Sequence, residues 1–179
     1  MPDLPPVTDR DHIRGPAPGE DAAHTLIQYG DFECPFSRQV NLLVAHVLEA
    51  FPGRVRFVFR HFPVRYHAHA LHAAEAAEAA AAQGAFWPMH DRLFRHQLAL
   101  SDDELVQHAD ALGLDARAVQ AALREEVFRE AVLVQKRAAI RAGVGSSLNL
   151  VIDGTIFQED GLEDALLERV VRPLKDEVG

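Results

Sequence analysis

The sequence predicts an α/β fold in which a small sheet carries a long helical segment between two of its strands. Three observations support this prediction. A short apolar strand, a helix and an alternating strand follow one another over residues 25–59. Residues 67–142 consist almost entirely of helix-forming residues. Two short apolar runs flank Asp153-Gly154, a typical two-residue hairpin turn, and add a hairpin to the sheet.

The first strand and the first helix meet at a well-marked boundary. Thr25 to Tyr29 is a short apolar run with β-branched and aromatic residues, and Gly30-Asp31 breaks it. A helix over about residues 35–50 follows, because apolar residues recur there at helical spacing. Pro35 suits its first position, where the N–H group has no intrahelical partner. The single cysteine, Cys34, therefore stands at the mouth of this helix.

A second strand follows, because residues 54–60 alternate between polar and apolar side chains. If this strand lies beside the first and parallel to it, the helix between them is the right-handed crossover of a βαβ unit. Residues 1–23 are rich in Pro, Gly, Asp and Glu and lack an apolar period, so we expect an extended lead-in. We expect one domain over residues 24–179, with a helical insertion at about 67–142.

The helical insertion begins with an alanine-rich stretch, Ala68 to Gln83, which stops at Gly84. Alanine has the highest intrinsic helix propensity, and its small side chain lets helices pack closely. A capping box at Ser101–Glu104 predicts the start of the next helix, and a cap at Asp115 predicts the start of a short one. Two more helices are predicted, one over 125–142 and one beyond the hairpin over 162–171, with an interruption at Pro173.

Composition and charge limit the classes of function. The chain has 179 residues, of which 48% are hydrophobic, enough for one buried core. It has 27 acidic and 18 basic residues and a net charge of −9, which argues against nucleic acid or an anionic membrane as a partner. No positively charged segment followed by an apolar run opens the sequence, and no apolar run approaches the roughly 18 residues of a membrane span. We expect a cytoplasmic protein that is a monomer or a weak homodimer.

Cys34 is the first candidate for chemistry. At a helix N-terminus, unpaired backbone N–H groups and the positive end of the helix dipole favour the thiolate over the thiol. This position favours a reactive cysteine, and a buried small hydrophobic side chain is the alternative. A single cysteine excludes an intramolecular disulfide, which fits a reducing compartment.

The residues around Cys34 resemble a known family. Asp31-Phe32-Glu33-Cys34-Pro35, set between a strand and a helix, is similar to the active-site motif of the DsbA-like branch of the thioredoxin fold. Arg60–Pro63 and Gly84–Phe94 resemble the second strand and the helical insertion of that branch. Arg10–Pro16 is similar to the lead-in of such domains, including those appended to some sodium/proton antiporters. The resemblance implies a thioredoxin-like fold with a helical insertion domain.

Two residues depart from the pattern of this family, and both fall on its catalytic surface. Family members that oxidise and reduce dithiols carry Cys-x-x-Cys, whereas this sequence has Ser37 at the second position. The family's cis-proline is replaced by Leu148. A cis bond before a non-proline residue costs about 2.5–4 kcal/mol, so we expect a trans bond between Ser147 and Leu148. Because Ser37 cannot resolve a mixed disulfide, the expected chemistry is limited to monothiol exchange, glutathionylation or a stable covalent adduct.

The resemblance implies a thiol–disulfide oxidoreductase that uses a single reactive cysteine on the thiols or disulfides of proteins and peptides. Glutathione is the candidate co-substrate, and no other cofactor is expected. Cys34 and Ser37 are the predicted catalytic residues, since the Ser37 hydroxyl, one helical turn on, can donate to the Cys34 thiolate. The alternatives are a degenerate module that binds a peptide or protein without turnover and a glutathione-using transferase. The predicted substrate-binding residues are Pro35, Phe36, Ser147 and Leu148.

Histidines and aromatic residues supply two further hypotheses. His61, His67, His69 and His72 crowd one segment, and with Cys34 they offer metal ligands. A solvated, histidine-rich helix start is favoured over a metal site, because no recognised ligand motif is present. Phe86 and Trp87 are candidates for a groove that binds peptide or glutathione, but aromatic residues at helical spacing are more often core residues.

Overall fold

The computed structural model describes residues 4–145, 149–158 and 161–178. Within them, five strands form one sheet in the order β1-β3-β2-β4-β5. Strands β2 and β3 are parallel, and the other neighbouring pairs are antiparallel. The strands are β1 (His12–Arg14), β2 (His24–Gly30), β3 (Val55–His61), β4 (Asn149–Ile152) and β5 (Thr155–Phe157).

Helix α1 (Pro35–Ala50) connects β2 to β3, and five helices of the described chain lie between β3 and β4 in sequence. These five are α2 (Ala70–Ala81), α3 (Phe86–Arg95), α4 (Asp102–Ala111), α5 (Ala116–Arg124) and α6 (Arg129–Arg141). After the hairpin come α7 (Leu162–Leu166), a π-helical stretch (Leu167–Val171) and α8 (Arg172–Val178).

The local sequence signals are confirmed where they are strongest. Pro35 is the first residue of α1, and β2 and β3 form the predicted parallel pair around this helix. The hairpin turn has positive φ angles at Asp153 (47°) and Gly154 (81°), the conformation whose twist matches that of paired strands. The capping box begins α4 at Ser101, and the Asp115 side chain accepts a hydrogen bond at the start of α5.

The lead-in contains a strand that the sequence pattern did not reveal: β1 pairs with β3 at His12–Phe59 and is too short to show an apolar period. Two predicted helix boundaries are wrong, each for a local reason. The helix predicted from residue 125 begins only at Arg129, because Glu126 has a left-handed φ of 54°. Pro173 does not interrupt the last helix. A π-helical stretch lies directly before it, and its wider turn relieves the clash that a proline ring has with a preceding carbonyl.

Both faces of the sheet carry buried hydrophobic side chains, because successive residues of a strand point to opposite sides of the sheet. On one face, Leu26 and Phe57 belong to the main core, which includes residues of α1 to α5 and of the C-terminal helices. On the other face, Ile27 and Val58 pack with Ala139 of α6 and with partly buried residues of the lead-in.

Two arginines of β3 hold the lead-in against the sheet. The Arg60 guanidinium forms an ion pair with Asp11 at 2.7 Å and donates to the Tyr29 hydroxyl at 3.0 Å. Arg60 and Arg56 together also donate to five backbone carbonyl groups of the lead-in. These carbonyls belong to residues 5 and 6, held by Arg60, and residues 16, 17 and 20, held by Arg56.

Candidate functional site

Cys34 lies at the N-terminus of α1, as the sequence predicts. It occupies the position before the first helical turn, with φ −82° and ψ 120°, and Pro35 follows as the first helical residue. Its backbone N–H donates to the Asp31 carbonyl at 3.1 Å. Only 4% of its surface is exposed. The thiol therefore lies at the positive end of the α1 dipole and is nearly enclosed.

Asp31 organises the loop that carries Cys34, a role that neither the strand-breaker pattern nor the Asp31–Pro35 motif predicts. Its buried carboxylate accepts the backbone N–H of Glu33 at 2.8 Å and of Val64 at 2.7 Å. It also contacts His67 Nδ1 at 2.8 Å. The contact with Glu33 is an Asx turn, in which an aspartate bonds to the backbone two residues on. Asp31 thus joins the loop that carries Cys34 to the loop after β3.

Ser37 is fully buried beneath the same loop. Its Oγ accepts a hydrogen bond from the backbone N–H of Asp31 at 3.1 Å, and its carbonyl accepts one from the Gln28 side chain at 2.7 Å. Ser37 therefore helps to shape the loop around Cys34. Its catalytic donation to the Cys34 thiolate stays a prediction.

Gln97, which no sequence motif marks, holds the other side of the loop. Its Nε2 donates to the carbonyls of Phe32 at 2.7 Å and of Cys34 at 2.8 Å. It follows α3 and is 63 residues from Cys34 in sequence, so no local pattern links the two. Gln97 fixes the backbone on both sides of Glu33.

Replacement of Gln97 with leucine is expected to lower the free energy of unfolding by about 1–3 kcal/mol, the usual effect of leaving buried polar groups unpaired. Loss of the two hydrogen bonds would also make the loop more mobile, so the rate at which Cys34 reacts with glutathione disulfide should change as well. Urea denaturation and a kinetic assay of the same protein measure the two effects. Gln120→Leu, on α5 away from the loop, is the matched control.

A groove of about 340 Å³ opens beside the Cys34 loop. Glu33 and Pro35, the two neighbours of Cys34 in sequence, both line it. Glu33 also reaches the residue before α2, where its carboxylate accepts the backbone N–H of His69 at 2.6 Å. The other residues lining the groove are His67, His69, Gln97, Leu98, Leu100, Ser101 and Glu104.

The structure describes two of the four predicted substrate-binding residues. Pro35 lines the groove, and Phe36 is 42% exposed on the surface of α1. Ser147 and Leu148, together with the peptide bond between them, lie outside the described residues. Their predicted role opposite Cys34 stays a prediction.

The histidines considered as a group contact different carboxylates. His61 contacts Glu78 at 2.9 Å, His67 contacts Asp31, and His72 contacts Asp102 at 2.5 Å. Of the two aromatic candidates, Phe86 is buried in the main core, as predicted. Trp87 is partly buried against that core, and its Nε1 donates to the Ile13 carbonyl at 3.0 Å.

Comparison with protein families gives one match over most of the chain: the model described as "Thioredoxin" matches residues 10–170. Curated relatives include the Na(+)/H(+) antiporter NhaA 1 of Salinispora arenicola, 43% identical over 139 residues, which is 77% of this chain and 19% of the antiporter. The antiporter NhaA of Herminiimonas arsenicoxydans is 38% identical over 151 residues, covering 84% of this chain and 24% of the antiporter. This chain thus spans only about a fifth to a quarter of the length of these curated relatives.

Solved structures match over nearly the whole chain. Oxidised BdbD from Bacillus subtilis superposes with a TM-score of 0.78 at 20% identity, covering 91% of this chain and 92% of BdbD. The thiol-disulfide exchange protein α-DsbA2 from Wolbachia pipientis gives a TM-score of 0.72 at 17% identity, covering 93% and 86%. These matches confirm the predicted thioredoxin-like fold. Among the described residues, none of the helices combines the length and apolar character that a membrane crossing requires.

Proposed function

This chain belongs to the thioredoxin family, and from that premise we propose that it is a DsbA-like member that performs thiol–disulfide exchange through a single cysteine, Cys34. The observation that carries the proposal is the position of Cys34 before the first turn of α1, where Pro35 begins the helix. A helix N-terminus stabilises the negative charge that a thiolate nucleophile carries.

The surroundings of Cys34 support a fixed reactive geometry. Asp31 and Gln97 hold the loop backbone on both sides of Glu33, through one carboxylate and one amide nitrogen. A groove lined by Glu33 and Pro35, the two sequence neighbours of Cys34, provides a surface for an incoming chain. Glu33 and Glu104 give this groove acidic groups, and His67 and His69 give it imidazoles. It therefore presents polar contacts suited to a peptide.

The proposed reaction is a monothiol exchange in two steps. The Cys34 thiolate attacks one sulfur of a substrate disulfide, a mixed disulfide with Cys34 forms, and the other substrate sulfur leaves as a thiolate. Ser37 has no thiol with which to break the mixed disulfide. A second thiolate, from glutathione or from a protein, attacks it, forms a new disulfide and returns Cys34 to its reduced state. Protein or peptide thiols and disulfides are the proposed partners, in a reducing, cytoplasmic setting.

Incubation with glutathione disulfide tests this proposal. We expect one glutathione to be added per chain, visible as a single mass shift, and dithiothreitol to reverse it. Cys34→Ser should abolish the addition completely, because the chain has no other cysteine. If the native thiol reacts no faster than free cysteine under the same conditions, the exchange proposal fails.

A second variant, Ser37→Cys, should convert the monothiol site into a dithiol site. The Cα atoms of residues three apart in a helix lie about 5 Å apart, a Cα separation that a disulfide spans. We expect glutathione to be added and then released as the introduced thiol attacks, leaving an intramolecular disulfide. Mass spectrometry with and without reductant would show a loss of two hydrogens and no retained glutathione. Retention of glutathione would contradict the predicted geometry.

The alternative is a module of the same fold that binds a peptide without redox turnover. The 4% exposure of Cys34 favours it, because a nearly enclosed sulfur reacts only when the substrate chain docks correctly or the loop moves. The glutathione assay separates the two functions. An unreactive thiol together with binding of an extended peptide would establish the binding module.

A further inference from the structure

Three ligand-type side chains meet away from Cys34, at the junction of β1, β3 and α2. Glu78 Oε1 lies 2.9 Å from His12 Nε2 and 2.9 Å from His61 Nε2. One ligand atom from each of the three residues lies within 4.8 Å of the others. We propose that His12, His61 and Glu78 form a binding site for a divalent transition metal, and that Zn²⁺ is the ion that fits it best.

The spacing of the donor atoms suits a small ion. Zinc binds histidine nitrogen and carboxylate oxygen at about 2.0–2.2 Å, which in a tetrahedral site separates the donors by roughly 3.4 Å. The two contacts of 2.9 Å are slightly shorter than this, and the upper limit of 4.8 Å is longer. Small side-chain shifts are therefore enough to admit an ion, without movement of the backbone.

The backbone of the site is already in place. His12 and His61 stand on paired strands, because β1 is hydrogen-bonded to β3, and Glu78 lies on the third turn of α2. The His12 ring stacks on Phe86 with ring centroids 3.4 Å apart. The His61 side chain is fully buried, whereas those of His12 and Glu78 keep 18% and 14% exposure. The site is thus enclosed on the side of His61 and accessible to an ion from solvent on the side of His12 and Glu78.

The donor set selects the metal. Two imidazole nitrogens and one carboxylate oxygen match the three-ligand zinc sites that keep a fourth position for water. Magnesium and calcium prefer oxygen ligands only. An octahedral ion would need three more ligands, and the aromatic rings of Phe86 and Phe59 beside the histidines supply none. A four-coordinate ion with one bound water is therefore favoured.

The metal-free protein uses the same three residues as a hydrogen-bond network. The ionised Glu78 oxygen can only accept, so both imidazoles donate from Nε2. Metal binding replaces those two N–H groups by lone pairs, and the protons pass to Nδ1 or to water. The network and the metal site therefore exclude each other. Metal binding should stabilise the fold by joining β1, β3 and α2 through a single ion.

Titration with Co²⁺, a spectroscopic substitute for zinc, tests the proposal in the full chain. We expect one equivalent to give the visible bands of a four- or five-coordinate nitrogen and oxygen site, without thiolate charge transfer, and Zn²⁺ to displace it. His12→Gln, at a partly exposed edge strand, should weaken binding by at least about 10-fold, because even loss of an outer hydrogen-bond partner has that effect on metal sites. Glu78→Gln should do the same.

Thermal unfolding gives an independent measurement. At a concentration 100 times the dissociation constant, Zn²⁺ should raise the melting temperature of the native chain by roughly 5–10 °C and that of His12→Gln by far less. His72→Gln, on the same helix but paired with Asp102, is the matched control and should behave like the native chain. Equal binding by the native chain and His12→Gln would indicate an adventitious ion only, and thiolate bands lost in Cys34→Ser would place the metal at Cys34. Either result overturns the proposal.

Discussion

Replacement of Arg60 with alanine is expected to lower the free energy of unfolding by about 3–5 kcal/mol, the usual effect of removing one partner of a buried ion pair. Arg60 is 6% exposed, and its guanidinium makes two contacts with Asp11, at 2.7 and 3.0 Å. Burial alone raises the pKa of Asp11, but hydrogen bonds from Arg60 and Thr8 outweigh it and lower that pKa. Without Arg60, the partly buried Asp11 carboxylate keeps only its hydrogen bonds from Thr8, and two lead-in carbonyls lose their arginine donor.

Urea denaturation at pH 7 measures this effect. At that pH the contribution of Asp11 is fully present, because a carboxyl whose pKa is lower in the folded state stabilises the fold above its unfolded pKa and loses this effect as pH falls. Arg65→Ala, at an exposed position in the loop after β3, is the control and should change stability by less than about 0.5 kcal/mol. A double-mutant cycle with Asp11→Asn isolates the ion pair. A loss below about 1 kcal/mol for Arg60→Ala would show that the lead-in contributes little to stability.

The expected importance of Arg60 illustrates what the sequence could and could not predict. The alternation of residues 54–60 predicts β3 correctly, but it marks Arg60 only as an outward polar position. Its partner Asp11 lies 49 residues earlier, in a segment without a periodic pattern. The arginine is buried because the lead-in folds over that face of the sheet. A contact of this kind depends on tertiary structure and leaves no local signal.

The site around Cys34 divides in the same way. Its core element is local: a strand, a breaker, a cysteine and a proline within a few residues predict the helix mouth where Cys34 is found. The role of Asp31 has a partial local signal in its Asx turn to Glu33. Its bonds to Val64 and His67, and the bonds of Gln97 to the loop, join segments that are distant in sequence. Those contacts can be identified only from the three-dimensional structure.

The histidines show how a pattern in sequence can mislead. Grouping His61 with its neighbours His67, His69 and His72 put together residues that contact separate carboxylates. The partners that do converge with His61 are His12 and Glu78, which lie 49 residues before it and 17 after it. Pairing of β1 with β3 brings the first close, and packing of α2 against the sheet brings the second. Because β1 has no sequence signal, this cluster was beyond prediction.

His90 is expected to make the protein lose stability in mild acid. Its side chain is fully buried among aromatic rings, with the Phe59 ring centroid 4.6 Å away. Burial lowers the pKa of His90 to about 4, and the hydrogen bond with Asp91 only partly offsets this. An unfolded histidine has a pKa near 6.5. Below that pH, His90 is protonated in the unfolded chain but stays neutral in the folded chain until the pH falls to about 4.

The free energy of unfolding should therefore fall as pH decreases from 6.5 to about 4. A shift of one pKa unit corresponds to about 1.4 kcal/mol, so His90 should account for a loss of about 2 kcal/mol by pH 5 and about 3 kcal/mol by pH 4. The range from pH 7 to 5 is the most informative, since it lies above the unfolded pKa values of Asp and Glu.

Urea denaturation of the native chain and of His90→Phe, at several pH values between 7 and 5, tests this expectation. The variant keeps an aromatic ring in the aromatic cluster but has no group that titrates, so its stability should vary less with pH by about 2 kcal/mol over this range. His90→Gln, which is polar and also does not titrate, should show the same flattening whatever its stability at pH 7. His46→Gln, on the exposed face of α1, should keep the slope of the native chain. Parallel pH profiles for all four proteins would mean that His90 is protonated as easily in the folded chain as in the unfolded one, and that its aromatic surroundings admit the charge.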